Sequence, residues 1–139
     1  MKSSENNSQD RPEIKIAIIG GGSRYWARDM MKDLALQAPF DGLISLYDLD
    51  HEASEKNVAI GNQIFGREDS ISFFRLEAHR EIGPCLRGAD FVVLSIEPGP
   101  MECRYADLEI PLRYGIIQPV GDTTGPGGIL RALRSIPTF

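Results

Sequence analysis

Short apolar runs alternate along the chain with segments of helical period, and this alternation predicts an α/β fold. The clearest runs are residues 14–19 and 91–96, and the first, which is β-branched and almost continuously apolar, is typical of a strand covered on both faces. Weaker runs at 43–47 and 71–76 predict a second and a third strand. The chain therefore has four predicted strands.

The segments between these runs carry apolar side chains on one helical face and charged side chains on the other. They predict helices at 26–38, 51–65, 81–87 and 101–114, and the start of a further helix at 129–135. Alternating strands and helices imply right-handed crossovers and a parallel sheet. We therefore expect one domain at 14–139, a parallel sheet with flanking helices, after a flexible polar tail at 1–13.

The composition narrows the classes of partner. With 139 residues, 42% hydrophobic and 25% charged, the chain resembles one globular domain. Its formal net charge of −5 argues against nucleic acid, because phosphate neutralisation requires a basic surface. No apolar run reaches the roughly 18 residues of a membrane-spanning helix, and the N-terminus has no signal-peptide apolar region. Two cysteines allow at most one disulfide, so we expect no membrane association and a reducing, cytoplasmic compartment.

Three consecutive glycines, Gly20, Gly21 and Gly22, follow the first predicted strand and precede the first predicted helix. Gly20 permits a tight turn, and Gly22 lets the backbone approach a pyrophosphate. Free N–H groups and the helix dipole would hold the phosphates, while Ser23 caps the helix or donates to a phosphate oxygen. Tyr25 replaces the third glycine of the usual dinucleotide fingerprint. A turn that binds nothing is the alternative interpretation.

An acidic residue ends the second predicted strand. Asp48 lies close to where dinucleotide-binding folds place the carboxylate that binds the adenine ribose hydroxyls, and it favours NAD over NADP, whose 2′-phosphate it would repel. Asp50 is the competing candidate, although it could instead cap the helix that begins near His51. The glycine loop and Asp48 together predict a Rossmann-like NAD site. We also assign Ile96, at the end of the fourth predicted strand, to that site.

Neither the histidines nor the cysteines form a metal-ligand pattern. His51 and His79 lie beside predicted helix starts among charged neighbours. Cys85 and Cys103 lie on different predicted helices without a CxxC or CxxH partner, and we interpret them as half-buried thiols. Spacing alone assembles no Ser-His-Asp arrangement and selects no catalytic pair of carboxylates.

Further motifs complete a set that is similar to a known family. The set comprises Gly20-Gly21-Gly22-Ser23, Leu46-Tyr47-Asp48, residues 89–93, Arg104 with Asp107 before Ile110-Pro111, Tyr114-Gly115-Ile116, residues 124–128 and residues 132–137. On these motifs the chain, from about Ile14 to Phe139, resembles glycoside hydrolase family 4, the NAD- and metal-dependent glycosidases. Its Gly-Gly-Gly-Ser-x-x-Trp-Ala-Arg loop and its Gln-Pro-Val-Gly-Asp-Thr stretch are most similar to the α-galacturonidase branch.

The resemblance implies a redox route to hydrolysis of glycosides rather than the usual pair of carboxylates. In the family, NAD⁺ takes a hydride from the sugar C3, a base removes the C2 proton, the glycosidic bond eliminates, water adds and the hydride returns. A divalent metal, typically Mn²⁺, polarises the C3 oxygen. Its ligands and the tyrosine base lie downstream of the matched region in longer family members. We therefore expect an incomplete, NAD-binding N-terminal portion that is inactive alone, without catalytic or metal-binding residues of its own.

The resemblance also implies sugar-binding residues, namely Arg104, Asp107 and Asp122. Many members carry an arginine where this chain has Glu97 and a second glycine where it has Pro100, and Asp122 lies in a Gly-Asp-Thr stretch that replaces Gln-Glu-Thr. These positions lie near the sugar in the family. The departures therefore disfavour a 6-phosphosugar and are consistent with a uronic acid, so we expect a glycoside of a sugar or of a uronic acid as the substrate.

Two other functions are consistent with the residues. One is a stand-alone nucleotide-binding module without catalysis. The other is a fragment of a lactate/malate-type dehydrogenase, against which the Gly-Pro-Gly-Gly segment argues. In each case we expect a homo-oligomer, because the fourth predicted strand would be an open sheet edge without charged residues, and because members of the resembled family form oligomers.

Overall fold

The computed structural model describes residues 11–119 and 125–139. The chain forms two compact units, one ending at Ile96 and the other spanning Glu97–Phe139. The first contains the sheet and the second contains two helices that pack on each other. No helix in the described ranges is long and apolar enough to cross a membrane.

The first unit is built on a four-stranded parallel sheet, as predicted. Its strands are β1 (Glu13–Ile19), β2 (Asp41–Tyr47), β3 (Phe74–His79) and β4 (Phe91–Leu94). The spatial order is β3-β2-β1-β4, so the central β1 pairs with β2 on one side and with β4 on the other. Ile19 lies opposite Tyr47, so β1 and β2 end at the same level. The loops after these two strands therefore meet at one edge of the sheet.

Helices cover both faces of the sheet because side chains alternate along each strand. These helices are α1 (Trp26–Gln37), α2 (His51–Phe65) and α3 (Ile82–Leu86). On one face, Ile16 and Ile18 belong to a core that includes Met31 of α1. On the other face, Ala17 and Ile19 pack with a buried side chain of α3. The prediction of a first strand covered on both faces is confirmed.

The third strand lies three residues later than predicted, because the segment before it bonds elsewhere. Ser72 Oγ donates to Leu34 O, in the last turn of α1, at 2.8 Å. Phe73 N–H donates to Asp41 Oδ1 at 2.7 Å rather than to a backbone carbonyl. Pairing with β2 begins only at Phe74. The predicted start of this strand is therefore wrong, and its end, at His79, also lies three residues later than predicted.

The fourth strand is shorter than predicted. It ends at Leu94 rather than at position 96, because its partner β1 ends at Ile19 and turns into the glycine loop. The remaining element ends in this unit lie within two residues of the predictions. Among the described residues β4 has a neighbour on one side only, and its Phe91, Val92 and Leu94 are 49–59% exposed. The predicted open edge is present.

The second unit pairs α4 (Met101–Leu112) with α5 (Pro126–Ser135), and a 3₁₀ turn follows at Ile136–Thr138. α4 ends two residues before the predicted end, and α5 begins three residues before its predicted start. The early start takes in Gly127, which precedes the predicted start of this helix at position 129. A Cβ on Gly127 would lie 2.2 Å from Asp107 O, so glycine allows α5 to approach α4 closely.

Candidate functional site

The glycine loop connects β1 to α1 at the carboxyl edge of the sheet. Gly20 has a φ of 92°, and a Cβ on it would lie 2.0 Å from Ser95 O. The N–H groups of Gly20 and Gly21 both donate to Tyr47 O at 2.9 Å. The tight turn predicted at Gly20 is therefore present, and it fastens the loop to the end of β2.

Asp48, directly after β2, lies against the loop. Its Oδ2 accepts a hydrogen bond from Gly22 N–H at 2.9 Å, and its Oδ1 accepts one from Asp50 N–H at 3.0 Å. A Cβ on Gly22 would lie 2.8 Å from Ala53 Cβ and 2.9 Å from Asp48 Oδ2. From the sequence alone, Gly22 is explained by the approach of a pyrophosphate. In the structure, contact with Asp48 and Ala53 already requires glycine there.

Asp50 has the capping role that the sequence analysis offers as its alternative. Its Oδ1 accepts a hydrogen bond from Ala53 N–H at 3.1 Å, which caps α2. Asp48 and Asp50 therefore have different structural roles. Asp48 holds the glycine loop, whereas Asp50 begins the following helix.

The start of α1 presents hydrogen-bond donors to its surroundings. Ser23 Oγ accepts from Trp26 N–H at 3.2 Å, but Ser23 lies two residues before Tyr25, the N-cap residue of α1, which has no side-chain cap. The backbone N–H groups of residues 24, 25, 27 and 28 have no acceptor within the described ranges. Unpaired N–H groups at a helix N-terminus attract anions, and the helix dipole adds to the attraction. This turn is therefore suited to a phosphate.

A cleft of about 330 Å³ lies beside this turn. Its lining combines loop backbone with three basic and two acidic side chains and comprises Gly22, Ser23, Arg24, Arg28, Asp48, Asp50, Ala53 and Lys56. The basic residues were not predicted to belong to the site, because isolated arginines and lysines on helix surfaces form no pattern in the sequence. Their charge and the Asp48 carboxylate suit a ligand that carries both phosphate and hydroxyl groups.

Asn57 is a second residue that the sequence analysis missed. It is fully buried, and its Nδ2 donates to Gly21 O at 2.8 Å and to Ser23 O at 2.9 Å. Its Oδ1 accepts from Arg28 Nε at 2.8 Å. One sequence feature could have identified it: Asn57 lies on the helical face that also carries the buried Ile64, and a buried amide needs polar partners.

Ile96 lies beside the glycine loop. Its Cγ2 is 3.2 Å from the position that a Cβ on Gly20 would occupy. The half-buried side chain packs with Ala17 and Ile19 on the α3 face of the sheet. The fold therefore brings together all the residues predicted to bind the cofactor, namely Gly20, Gly21, Gly22, Ser23, Asp48 and Ile96.

Burial changes the interpretation of one cysteine. Cys85 is fully buried rather than half-buried, its thiol donates to Ser45 O at 3.4 Å, and burial raises the pKa of this thiol. Cys103 is half-buried, as predicted.

The two histidines lie beside acidic side chains: His51 Nε2 and His79 Nε2 are 3.1 and 3.5 Å from glutamate oxygens. Within residues 11–119 and 125–139, no three His, Cys, Asp or Glu side chains could hold a metal ion together.

The residues predicted to bind sugar belong to the second unit. Arg104 Nη1 lies 3.2 Å from Glu97 Oε2, and the Arg104 side chain is 38% exposed. Asp107 is only 8% exposed and forms a bidentate ion pair with Arg134, at 2.7 and 3.2 Å. Hydrogen bonding to Asp107 raises the pKa of Arg134. The third predicted residue, Asp122, lies outside the described residues.

The open parallel sheet, with a glycine loop after β1 and an acid after β2, defines a Rossmann-like fold of the dinucleotide-binding class. The chain belongs to the family 4 glycosyl hydrolases, whose profile matches residues 15–139. The predicted fold class and family are thereby confirmed.

Several known proteins are similar to this chain over most of its length. The alpha-galacturonidase of Lachnoclostridium phytofermentans is 51% identical over 127 residues, and that of Thermoanaerobacterium saccharolyticum is 47% identical. Each match covers 91% of this chain but 27% of the relative, so the chain spans about a quarter of the length of these proteins. The 6-phospho-beta glucosidase of Thermotoga maritima, solved with manganese, NAD⁺ and glucose-6-phosphate, is 30% identical. It superposes with a TM-score of 0.69, over 91% of this chain and 30% of the solved one.

Proposed function

We propose that this chain is the NAD-binding portion of a family 4 glycosidase that hydrolyses glycosides of a uronic acid. The observation that carries the proposal is the glycine loop bonded to Asp48, beside N–H groups that have no acceptor within the described residues. The bound NAD⁺ of the 30%-identical Thermotoga maritima enzyme supports the choice of cofactor. When bound, NAD⁺ would supply a hydride acceptor for the sugar.

In this proposal, different residues of the first unit bind different parts of the cofactor. The N–H groups at the start of α1 bind the pyrophosphate, and Asp48 accepts hydrogen bonds from the adenine ribose hydroxyls. Each Asp48 oxygen keeps acceptor capacity beyond its one backbone bond. Ile96, beside Gly20, borders the cofactor with an apolar side chain.

The position of Asp48 supports a preference for NAD over NADP. Both carboxylate oxygens are bonded to backbone N–H groups, so the side chain is not free to rotate away from an incoming 2′-phosphate. Arg24 and Lys56 line the same cleft, but Lys56 Nζ is bonded to Glu52 at 2.7 Å. In this proposal the fixed carboxylate repels the 2′-phosphate of NADP⁺ and favours NAD⁺.

The uronic-acid substrate is supported by the relatives and by the second unit. The alpha-galacturonidases are 46–51% identical to this chain, whereas the 6-phospho-beta glucosidase is 30% identical. We propose that the partly exposed Arg104 contacts the substrate and that Asp107 acts by holding Arg134. Asp122 remains a sequence-based prediction of a sugar-binding residue. The Mn²⁺ that the resemblance implies finds no group of three ligands among the described residues, so those residues do not fit a metal centre.

We propose further that copies of this chain associate and that the protein is cytoplasmic. Association is supported by the exposed apolar side chains of the β4 edge. A reducing compartment is supported by the two free thiols. Light scattering at micromolar concentration should report a dimer or larger species, and a monomer at high concentration would contradict the proposal.

A matched pair of glycine substitutions tests the cofactor site. Gly22→Ala should weaken NAD⁺ binding strongly, because its Cβ would displace the loop from Asp48 and Ala53. Gly83→Ala is the control, since its Cβ would meet nothing within 4 Å. NAD⁺ affinity is measured by calorimetry on folded protein. Equal affinities of the two variants would refute the proposed site.

A further inference from the structure

We propose that Asn57 is a positioning residue that orients the glycine loop for the pyrophosphate of the dinucleotide, an inference that rests on the proposed function. Asn57 belongs to α2, yet none of its side-chain hydrogen bonds is made within that helix. All three go to the loop between β1 and α1 or to Arg28 of α1. A buried amide with this set of partners links the elements that surround the cleft.

The hydrogen bonds fix which way the amide points. Nδ2 uses both of its protons, one on Gly21 O at 2.8 Å and one on Ser23 O at 2.9 Å. Oδ1 faces the Nε–H group of Arg28. A flipped amide would set its oxygen against two carbonyl oxygens and its NH₂ group against a guanidinium donor. The observed orientation is therefore the only one that satisfies every partner.

The hydrogen bonds of Asn57 to Gly21 O and Ser23 O determine which backbone groups the ligand meets. A carbonyl oxygen repels a phosphate, and the loop has two carbonyls, those of Gly21 and Ser23, that Asn57 binds from the buried side. The N–H groups that follow, at residues 24, 25, 27 and 28, are left without an acceptor in the described chain. Asn57 thus keeps acceptors away from the cleft while donors remain available to it.

The same amide holds a cation at the cleft. Arg28 lines the cleft, and its Nε–H is the group bonded to Asn57. With that nitrogen fixed, the two terminal nitrogens of the guanidinium remain as donors for a phosphate oxygen. Both contributions of Asn57 therefore concern the phosphate groups, whereas the adenosine contact is made by Asp48, whose own hydrogen bonds go to Gly22 N–H and Asp50 N–H and not to Asn57.

Asn57→Asp is the variant that tests this role. The carboxylate keeps the size of the side chain and an acceptor for Arg28, but it cannot donate to Gly21 O or Ser23 O. Asn62→Asp is the matched control, because Asn62 is exposed on the same helix. The affinities for NAD⁺, ADP and adenosine are measured with the full chain, after circular dichroism has shown that each variant is folded.

The expected loss of affinity is confined to ligands that carry a phosphate group. Asn57→Asp should lose about 10- to 100-fold in affinity for NAD⁺ and ADP, the equivalent of one or two hydrogen bonds, and less than about threefold for adenosine. A residue that only stabilises the fold would leave the affinities of folded protein unchanged. Equal losses for ADP and adenosine, or no loss for ADP, would overturn the inference.

If Asn57→Asp does not fold, nuclear magnetic resonance of the wild-type chain tests whether Asn57 orients the glycine loop. The two side-chain amide protons of Asn57 should exchange slowly with solvent, and ADP, but not adenosine, should shift the N–H signals of residues 24–28. Fast exchange of the Asn57 amide protons would overturn the inference. A wild-type chain that binds neither NAD⁺ nor ADP would overturn the proposed function as well, whereas binding that Asn57→Asp leaves intact would overturn the inference alone.

Discussion

Replacing Asp48 by asparagine should destabilise the first unit, even without ligand. Asp48 accepts hydrogen bonds through both oxygens, from Gly22 N–H at 2.9 Å and from Asp50 N–H at 3.0 Å. Asparagine has one oxygen, so its NH₂ group would face one of these donors. Loss of a hydrogen bond to a charged group costs about 1.5–3 kcal/mol. For a domain of this size, the thermal midpoint should fall by about 6–20 °C.

Asp50→Asn provides the matched control, because Asp50 uses one oxygen to cap α2 through Ala53 N–H. Asparagine is as good a helix cap as aspartate, and the lost charge at the helix N-terminus costs about 0.5 kcal/mol. Thermal unfolding followed by circular dichroism compares the two variants with the wild type. A midpoint that falls equally in both variants, or that Asp48→Asn leaves unchanged, would refute the assignment of two structural hydrogen bonds to Asp48.

Three other outcomes are expected. A thiol reagent at pH 8 should modify Cys103 well before Cys85, because burial removes access to Cys85 and raises the pKa of its thiol; equal rates would contradict the burial. Asp107→Ala should lower the thermal midpoint more than Glu109→Ala on the same helix, because Asp107 is 8% exposed and its loss leaves Arg134 unpaired, whereas the ion pair of Glu109 is exposed. The chain with NAD⁺ and Mn²⁺ should not hydrolyse a nitrophenyl galacturonide, and hydrolysis above the blank would show that metal-dependent chemistry is complete within it.

Local patterns predicted the central part of the site, and long-range contacts account for what was missed. The glycine loop and Asp48 follow apolar strands directly, so their positions could be inferred from the sequence. The start of the third strand could not be inferred, because Ser72 bonds to the end of α1. Gly127 resembles a helix breaker, yet it lies within α5 where the neighbouring helix comes close. The role of Asn57 depends on loop carbonyls far away in the sequence.

Titration of the chain with NAD⁺ and NADP⁺ by calorimetry tests the central claim most directly. We expect saturable binding of NAD⁺ at one site. The affinity for NADP⁺ should be at least about tenfold lower, because the 2′-phosphate would meet the fixed carboxylate of Asp48. Equal affinity for both dinucleotides would remove Asp48 from the ribose site, and no binding of NAD⁺ would contradict the assignment of the cleft.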